Sequence, residues 1–289
     1  MTQGQANPAY RQPVVAIIPA YNESGRIGAT VRAVMAVGAV NVVLVVDDGS
    51  TDATSQRAQE AGALVVRHAR NRGKAAAMET GAAVVAMWDA PADSPQSGEV
   101  PTDSPAVKPP PTGSPQTRPT PDILLFIDAD LADSATRTAA LIDPVVSGQA
   151  DFAVAVLPRP AGAGGWGLVL GLARWGIKAT TGFTPRAPLS GQRCLTRQAF
   201  DRAIPLAKGW GVETAMTIDL LRQGFTIQEI DCDLHHRASG KTWRGAWHRA
   251  AQCRDVAAAL LVRGLRLTGG LARTRLKQTL GGPRPPRRP

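Results

Sequence analysis

Residues 42–52 read VVLVVDDGSTD, a short apolar run that passes directly into acidic and turn-forming residues. Five consecutive apolar residues, four of them valine, predict a buried β-strand. Asp47 and Asp48 then lie just beyond the end of that strand. Because parallel α/β sheets bind ligands beyond the carboxyl ends of their strands, these acids are candidates for a binding site.

Strands and helices are predicted to alternate along most of the chain. The predicted strands cover residues 14–19, 42–46, 63–67, 123–127, 152–157 and 226–231. The predicted helices cover residues 25–37, 51–61, 74–88, about 168–177 and 211–222. This alternation predicts an α/β fold with a mostly parallel central sheet that is flanked by helices.

Bulk composition narrows the class of protein. The chain has 289 residues, 44% of them hydrophobic, which is enough for one large folded domain. We predict no signal peptide and no membrane-spanning helix, because the longest apolar runs are short or interrupted by charge. Three widely spaced cysteines without a CxxC pair fit neither a disulfide framework nor a zinc site, so a cytoplasmic location is expected.

A proline-rich segment interrupts the predicted catalytic domain. Residues 89–121 hold ten of the 23 prolines among polar residues, which predicts a disordered surface insert in a domain that spans 13–242. Residues 1–12 are predicted to be flexible. A C-terminal helical segment is predicted at 243–280, followed by a disordered tail at 281–289.

Positive charge is concentrated after residue 236. That part holds thirteen Lys or Arg and one acid, a charge of +12, so the rest of the chain carries −2. Apolar residues near helical spacing, among them Leu260 and Leu261, alternate with basic residues such as Arg254 and Arg263, which predicts a basic amphipathic helix. Such a helix favours peripheral contact with an anionic membrane. A helix that covers the core is the alternative.

A pair of carboxylates follows the strand predicted at 123–127. Asp128 and Asp130 are separated by one residue. Carboxylates spaced in this way can share a hard divalent cation, Mg²⁺ or Mn²⁺, with the oxygens of a diphosphate. An aspartate-rich turn is the alternative, and the neighbouring motifs favour the metal.

Two other segments predict contacts to a nucleotide. Asp48 is placed to accept from ribose hydroxyls or a base N–H, whereas the capping of the next helix can fall to Ser50 or Asp52. In the segment RNRGK, Gly73 permits close approach of the backbone, and Lys74, at a helix start, can meet a phosphate.

In order and spacing, these motifs resemble those of the family 2 glycosyltransferases, which have the GT-A fold. The motifs are IPAYNE at 18–23, DDGSTD at 47–52, RGK at 72–74 and DAD at 128–130. Later motifs resemble the branch that contains polyprenyl-phosphate sugar synthases and glucosyl-3-phosphoglycerate synthases. They are LSGQR at 189–193, GWGVE at 209–213 and HHRASGK at 235–241.

The resemblance implies roles for the matching residues. The residues expected to bind the nucleotide of a UDP-sugar donor are Pro19, Tyr21, Glu23, Asp48, Gly73 and Lys74. Asp130 is implied to be the principal metal ligand and His236 a second one, while Asp128 orients the donor sugar or ribose. Glu213 matches an acid near the reacting sugar, and Arg193 is expected to grip an acceptor phosphate. The predicted catalytic set is thus Glu213, Asp128 and Arg193.

One departure concerns the acceptor. Leu234 stands where the phosphoglycerate enzymes carry an arginine two residues before the histidine of the last motif. The predicted function is therefore metal-dependent transfer of a hexose from a UDP-sugar to an anionic acceptor, a polyprenyl phosphate or another membrane-surface lipid. A small soluble phosphorylated acceptor is the alternative, and a homodimer is left open. A non-catalytic basic binding protein would leave the acids without a role, so no nucleic acid partner is expected.

Overall fold

The computed structural model describes residues 13–88, 122–158, 167–234 and 250–264. The predictions for the flexible N-terminus, the insert at 89–121, the histidine motif and the tail fall outside these residues. The described elements form one α/β unit, as expected. The division of the chain into domains stays a prediction.

The strands of the described sheet are β1 (Val14–Ala20), β2 (Val40–Asp47), β3 (Leu64–Arg67), β4 (Ile123–Phe126), β5 (Phe152–Val156), β6 (Arg193–Thr196) and β7 (Ile227–Asp231). Their order across the sheet is β3-β2-β1-β4-β6-β5-β7. In that sheet β6 alone runs antiparallel to its neighbours. The prediction of a mostly parallel sheet is confirmed.

The α-helices are α1 (Ile27–Met35), α2 (Thr54–Glu60), α3 (Lys74–Met87), α4 (Asp143–Val146), α5 (Gly167–Thr181), α6 (Arg197–Ala203) and α7 (Val212–Arg222), followed by α8 over residues 250–264. Two 3₁₀ helices cover Ala132–Leu141 and Gly209–Gly211. Among these described helices, none has both the length and the apolar character that a membrane span requires.

Two hydrophobic layers cover the two faces of the sheet. Alternate residues of β1 point to opposite faces, so Ala16 and Ile18 pack in one layer and Val15 and Ile17 in the other. Helix α1 lies on the first face, and helices α3, α6 and α7 lie on the second. A smaller cluster joins α5 to α8.

The sequence missed β6, because the four-residue strand RCLT begins with arginine and shows no clear alternation. It also misjudged which side of α8 is buried. Arg263, expected on the solvated basic face, is 5% exposed, and Leu261, expected on the apolar face, is 66% exposed. Packing against α5 and α7 decides this orientation, and it supports the alternative of a core-covering helix for this part of the segment.

Candidate active site

Three loops meet at one edge of the sheet. Strands β1, β2 and β4 are parallel, and their ends lie side by side, with Ala20 opposite Asp47 and Ile17 opposite Phe126. The loops that leave these ends carry the PAYNE, DDGSTD and DAD motifs. Motifs that are more than 100 residues apart in sequence are thereby brought together.

The first two loops are tied to each other by hydrogen bonds. The backbone N–H of Asn22 donates to the Ser50 hydroxyl at 2.9 Å, and the N–H of Glu23 donates to the Thr54 hydroxyl at 2.8 Å. Tyr21 projects outward and is 46% exposed, whereas Pro19 and Glu23 are half-buried. All three predicted uracil-binding residues lie in this loop region, and their role stays a prediction.

Asp47 supports the local structure. Its carboxylate accepts from the N–H of Ser50 at 2.8 Å and from the Ser55 hydroxyl, and it lies 3.7 Å from the Arg67 guanidinium. Sequence reasoning made Asp47 a candidate for a binding site together with Asp48. The Asp47 side chain is instead fully buried and held by these contacts, whereas Asp48 contacts the loop that precedes α3.

Asp48 organises the loop that precedes α3. Its two carboxylate oxygens accept from the backbone N–H groups of Arg72 at 2.8 Å and Gly73 at 2.7 Å. His68 lies 2.7 Å from the same carboxylate through Nδ1 and 2.9 Å from the Thr80 hydroxyl through Nε2. Contact of Asp48 with the nucleoside stays a prediction, because these bonds show a role in positioning the loop.

Two glycines make this loop arrangement possible. A Cβ on Gly49 would lie 2.6 Å from the Arg70 carbonyl carbon, so a side chain there would push the two loops apart. Gly73 has a φ of 91° with open space around it, so glycine is required there by the backbone conformation and not by a lack of room. The backbone turns sharply at Gly73 and then begins α3 at Lys74.

Lys74 joins two acids at the centre of the site. Its Nζ lies 2.7 Å from a carboxylate oxygen of Asp128 and 2.9 Å from a carboxylate oxygen of Glu213. Burial by itself would lower the pKa of Lys74, but the two carboxylates raise it above the ordinary value. Lys74 is therefore a fixed positive charge at neutral pH, held between two members of the predicted catalytic set.

Gln192 holds the second carboxylate oxygen of Asp128, and the preceding residue, Gly191, lies close to the same carboxylate. This second oxygen of Asp128 accepts from the Gln192 side-chain amide at 2.6 Å. A Cβ on Gly191 would lie 2.5 Å from Lys74 Nζ and 2.7 Å from Asp128 Oδ2. Only glycine at this position leaves room for the Lys74 and Asp128 pair.

Helix α1 holds the turn that contains Asp130. The Thr30 hydroxyl donates to the carbonyl of Ala129 at 2.8 Å and accepts from the N–H of Ala132 at 2.8 Å. The Arg26 guanidinium donates to the Asp130 carbonyl at 3.1 Å. The backbone is therefore fixed on both sides of Asp130, which is itself half-buried.

The donor set fits a hard divalent cation. Asp128 and Asp130 supply two carboxylates at the end of β4, and the oxygens of a donor diphosphate would supply further ligands of the kind that Mg²⁺ and Mn²⁺ prefer. Among the described residues no cluster of three or more His, Cys, Asp or Glu side chains is present. His236, the second predicted ligand, lies outside the described residues.

Arg193 lies buried between the LSGQR motif and α7. The side chain is 1% exposed; Nε donates to the Ser190 carbonyl and Nη1 to the Thr217 hydroxyl, both at 2.9 Å. Burial lowers the pKa of Arg193 to about 10, against the opposing effect of the Glu213 and Glu229 carboxylates. Arg193 thus contacts α7, and its expected role of gripping an acceptor phosphate stays a prediction.

Three functional residues escaped sequence reasoning. Gly191 and Gln192 lie within the LSGQR motif, but nothing in the motif indicates that they face Asp128. His68 is a single histidine after a short strand, and only its contacts reveal that it supports Asp48. Local spacing carries no signal for such contacts, because each joins elements that are distant in the chain.

An α/β sheet with this strand order and acidic turns at the carboxyl ends of β2 and β4 defines a GT-A type fold. Residues 15–86 match the family model described as glycosyl transferase family 2, which confirms the predicted family for that part of the chain. An uncharacterized protein of Methanocaldococcus jannaschii is 42% identical over 77 residues, which cover 27% of this chain and 31% of that protein. The match thus spans less than a third of that relative.

Solved structures support the same fold over most of the chain. Glucosyl-3-phosphoglycerate synthase of Mycobacterium tuberculosis, in complex with Mn²⁺, UDP and glucosyl-3-phosphoglycerate, matches with a TM-score of 0.64 at 24% identity, over 88% of this chain and 80% of that chain. Its complex with Mg²⁺ and UDP matches with a TM-score of 0.65 at 23% identity, over 88% and 79%. At this level of identity the likeness establishes the fold.

Proposed function

We propose that this protein is a metal-dependent glycosyltransferase that moves a hexose from a UDP-sugar to an anionic acceptor. The observation that carries the proposal is the group of Lys74, Asp128 and Glu213, with Asp130 one turn away, at the carboxyl ends of the parallel strands. The family match at residues 15–86 and the ligands of the similar synthase, UDP with Mn²⁺ or Mg²⁺, support the same reaction class.

Lys74 is the residue that acts on the leaving group. Departure of UDP leaves negative charge on its phosphate oxygens, and a preorganised ammonium stabilises that charge. The charge of Lys74 is balanced by Asp128 and Glu213, so a donor phosphate has to compete with these carboxylates. A cation bound by Asp130 and Asp128 would supply further neutralisation of the diphosphate.

We assign Asp128 and Glu213 to different parts of the reaction. Asp128 is fixed by Lys74 and Gln192, and we assign it to the orientation of the donor sugar or ribose. Glu213 is 7% exposed at the start of α7 and faces the same lysine from the opposite side. We assign its carboxylate to the reacting sugar or the acceptor.

For the acceptor we propose a phosphorylated compound. A phosphate or carboxylate is already anionic near neutral pH, so the attack requires no strong general base. An acceptor that needs no general base is consistent with this site, because the Glu213 carboxylate is bound by Lys74. The lipid-linked form, a polyprenyl phosphate, is supported by exposed Leu168 and Trp175 on one face of α5 and by the basic C-terminal part of the chain. Binding to an anionic membrane would follow from the same features.

Calorimetric titration tests the donor site. UDP and UDP-sugars are titrated into the wild type with and without Mn²⁺, and into Asp130→Ala. Asp133→Ala, an exposed acid three residues later, is the matched control. We expect metal-dependent binding that Asp130→Ala loses and Asp133→Ala keeps. Absence of binding for every nucleotide sugar would contradict the proposal.

Transfer assays separate the acceptors. The donor that binds most tightly is offered with a polyprenyl phosphate in detergent and, separately, with 3-phosphoglycerate. Sedimentation with anionic vesicles at low and high salt measures membrane contact. Transfer to the lipid with salt-sensitive vesicle binding supports the lipid form. Transfer to phosphoglycerate without vesicle binding replaces it with a small soluble acceptor. A homodimer stays a prediction, which sizing of the same sample measures.

A further inference from the structure

Helix α8 contacts the turn that leads into Glu213. We propose that Asp255 of α8 is a positioning residue for Glu213, and that α8 is a structural part of the active site. The inference rests on the proposed function, because it assigns a role in sugar transfer to a residue that does not contact the donor. It is supported by hydrogen bonds, by two close glycine contacts and by a second anchor on α7.

Asp255 holds the 3₁₀ turn Gly209–Gly211. Its Oδ2 accepts from the backbone N–H of Trp210 at 3.2 Å, and its side chain is 17% exposed. A Cβ on Gly209 would lie 2.0 Å from Asp255 Oδ2. A Cβ on Gly211 would lie 2.7 Å from the Asp255 carbonyl oxygen and 2.8 Å from Ala259 Cβ. Gly211 is therefore required because the α8 backbone lies so close, and Gly209 is required by its φ of 65°.

The position of this turn determines the position of Glu213 in the active site. Gly211 is the N-cap of α7, and Glu213 is the second residue of that helix. The Glu213 carboxylate accepts from Lys74 Nζ at 2.9 Å. A shift of the turn by a few tenths of an ångström would thus move Glu213 relative to Lys74 and Asp128. Such small displacements at a reacting centre have large effects on rate.

A second anchor fixes α8 to the other end of α7. The Arg263 guanidinium forms a two-contact ion pair with the Asp219 carboxylate, with Nε 2.9 Å from Oδ1. Between the two anchors, Leu260 packs so closely on α5 that a Cβ at Gly176 would lie 2.3 Å from it. Helix α8 is therefore held in a fixed position, from which Asp255 can act on the turn as a rigid support.

Asp255→Ala tests the proposal, because alanine removes the carboxylate and keeps the helix propensity. We expect kcat to fall about tenfold or more, while the KM for the UDP-sugar stays within about twofold, since the predicted donor contacts lie on β1, on the loops after β1 to β4 and at the start of α3, and not on the turn before α7. Asp255→Asn keeps an oxygen that can accept from Trp210 and should retain most of kcat. Asp201→Ala, an exposed acid on α6, is the control and should match the wild type.

Hydrogen–deuterium exchange of peptides that cover residues 209–216 gives a reading that is independent of transfer. We expect faster exchange in Asp255→Ala than in the wild type and in Asp201→Ala. Wild-type kcat or unchanged exchange in a folded Asp255→Ala protein would overturn the proposal. If that variant does not fold, Asp255→Glu, which displaces the carboxylate by one methylene, takes its place with the same criteria. If the wild type transfers no sugar, the proposed function fails and the exchange measurement still tests Asp255.

Discussion

Lys74 and Glu213 are 139 residues apart in the chain, and the Lys74 ammonium lies 2.9 Å from the Glu213 carboxylate. The two residues belong to different halves of the fold. Helix α3 follows β3, which lies on one side of β4 in the sheet, and α7 comes after β6, which lies on the other side. The contact between Lys74 and Glu213 joins these two halves at the active site. The active-site geometry therefore depends on how the two halves pack, and not on either half alone.

Replacement of Lys74 should abolish most of the activity. Lys74→Met keeps the length of the side chain and removes the charge, which leaves Asp128 and Glu213 to repel each other. We expect kcat/KM for the UDP-sugar to fall about 100-fold or more, as with the loss of a single charge-stabilising donor in other enzymes. Steady-state kinetics measures the effect. Lys208→Met, at an exposed position, should leave kcat/KM unchanged.

The pH dependence of stability follows from the direction of the Lys74 pKa shift. Because the folded-state pKa is raised, the ion pairs stabilise the folded protein fully below about 10.5, the value of an unperturbed lysine, and lose this contribution only as the pH rises through the higher folded-state pKa. The difference in unfolding free energy between wild type and Lys74→Met should thus be constant from about pH 7 to pH 9.5. Urea titrations measure it, and a difference that collapses by pH 9 would count against the raised pKa.

Gly191 is expected to tolerate no side chain. In Gly191→Ala the new methyl group has to displace Lys74 or Asp128, so we expect about 100-fold loss of kcat/KM with the fold retained. Gly171→Ala is the matched control, because a Cβ on this exposed glycine of α5 meets nothing within 4 Å. It should keep full activity and gain a little helix stability. Kinetics together with thermal unfolding distinguishes the two outcomes.

His68 should affect donor binding more than turnover. His68→Leu removes both polar contacts, and loss of a hydrogen bond to a charged group costs about 1.5–3 kcal/mol. We expect the donor KM to rise about tenfold, because the loop at 70–73 loses part of its support. His68→Gln, whose amide can donate to Asp48 and accept from Thr80, should restore most of the affinity. A donor KM in His68→Leu equal to that of the wild type would show that His68 has no positioning role.

The Arg263 and Asp219 pair should contribute to stability. Asp219→Asn leaves a buried guanidinium without its charged partner, and breaking such a pair costs about 3 kcal/mol. Urea unfolding should show a drop of that order. Arg57→Gln, which removes one member of an exposed ion pair, should change the unfolding free energy by less than about 1 kcal/mol. Similar values for both variants would mean that Arg263 does not anchor α8.

Local sequence patterns determined the alternation of strands and helices and the place of the acidic turns. Continuous apolar runs before DDGSTD and DAD define β2 and β4, since a buried parallel strand is apolar on both faces and its ends have to carry the polar residues. The segment RNRGK indicated Lys74 as a phosphate contact, and the motifs that resemble the family implied Asp128, Glu213 and Arg193 as the catalytic set. These features depend on neighbours in the chain, so the sequence alone contains them.

Tertiary structure decided everything that depends on contacts between distant elements. The burial of Arg193 and Arg263, the pairing of Asp48 with His68, and the closeness of Gly191 to Lys74 have no local signal, because each requires two segments to pack at a particular distance. Helix α8 is the clearest case. Its composition indicated a basic amphipathic helix, but only its packing on α5 and α7 determined which residues face the core and placed Asp255 over the turn before Glu213.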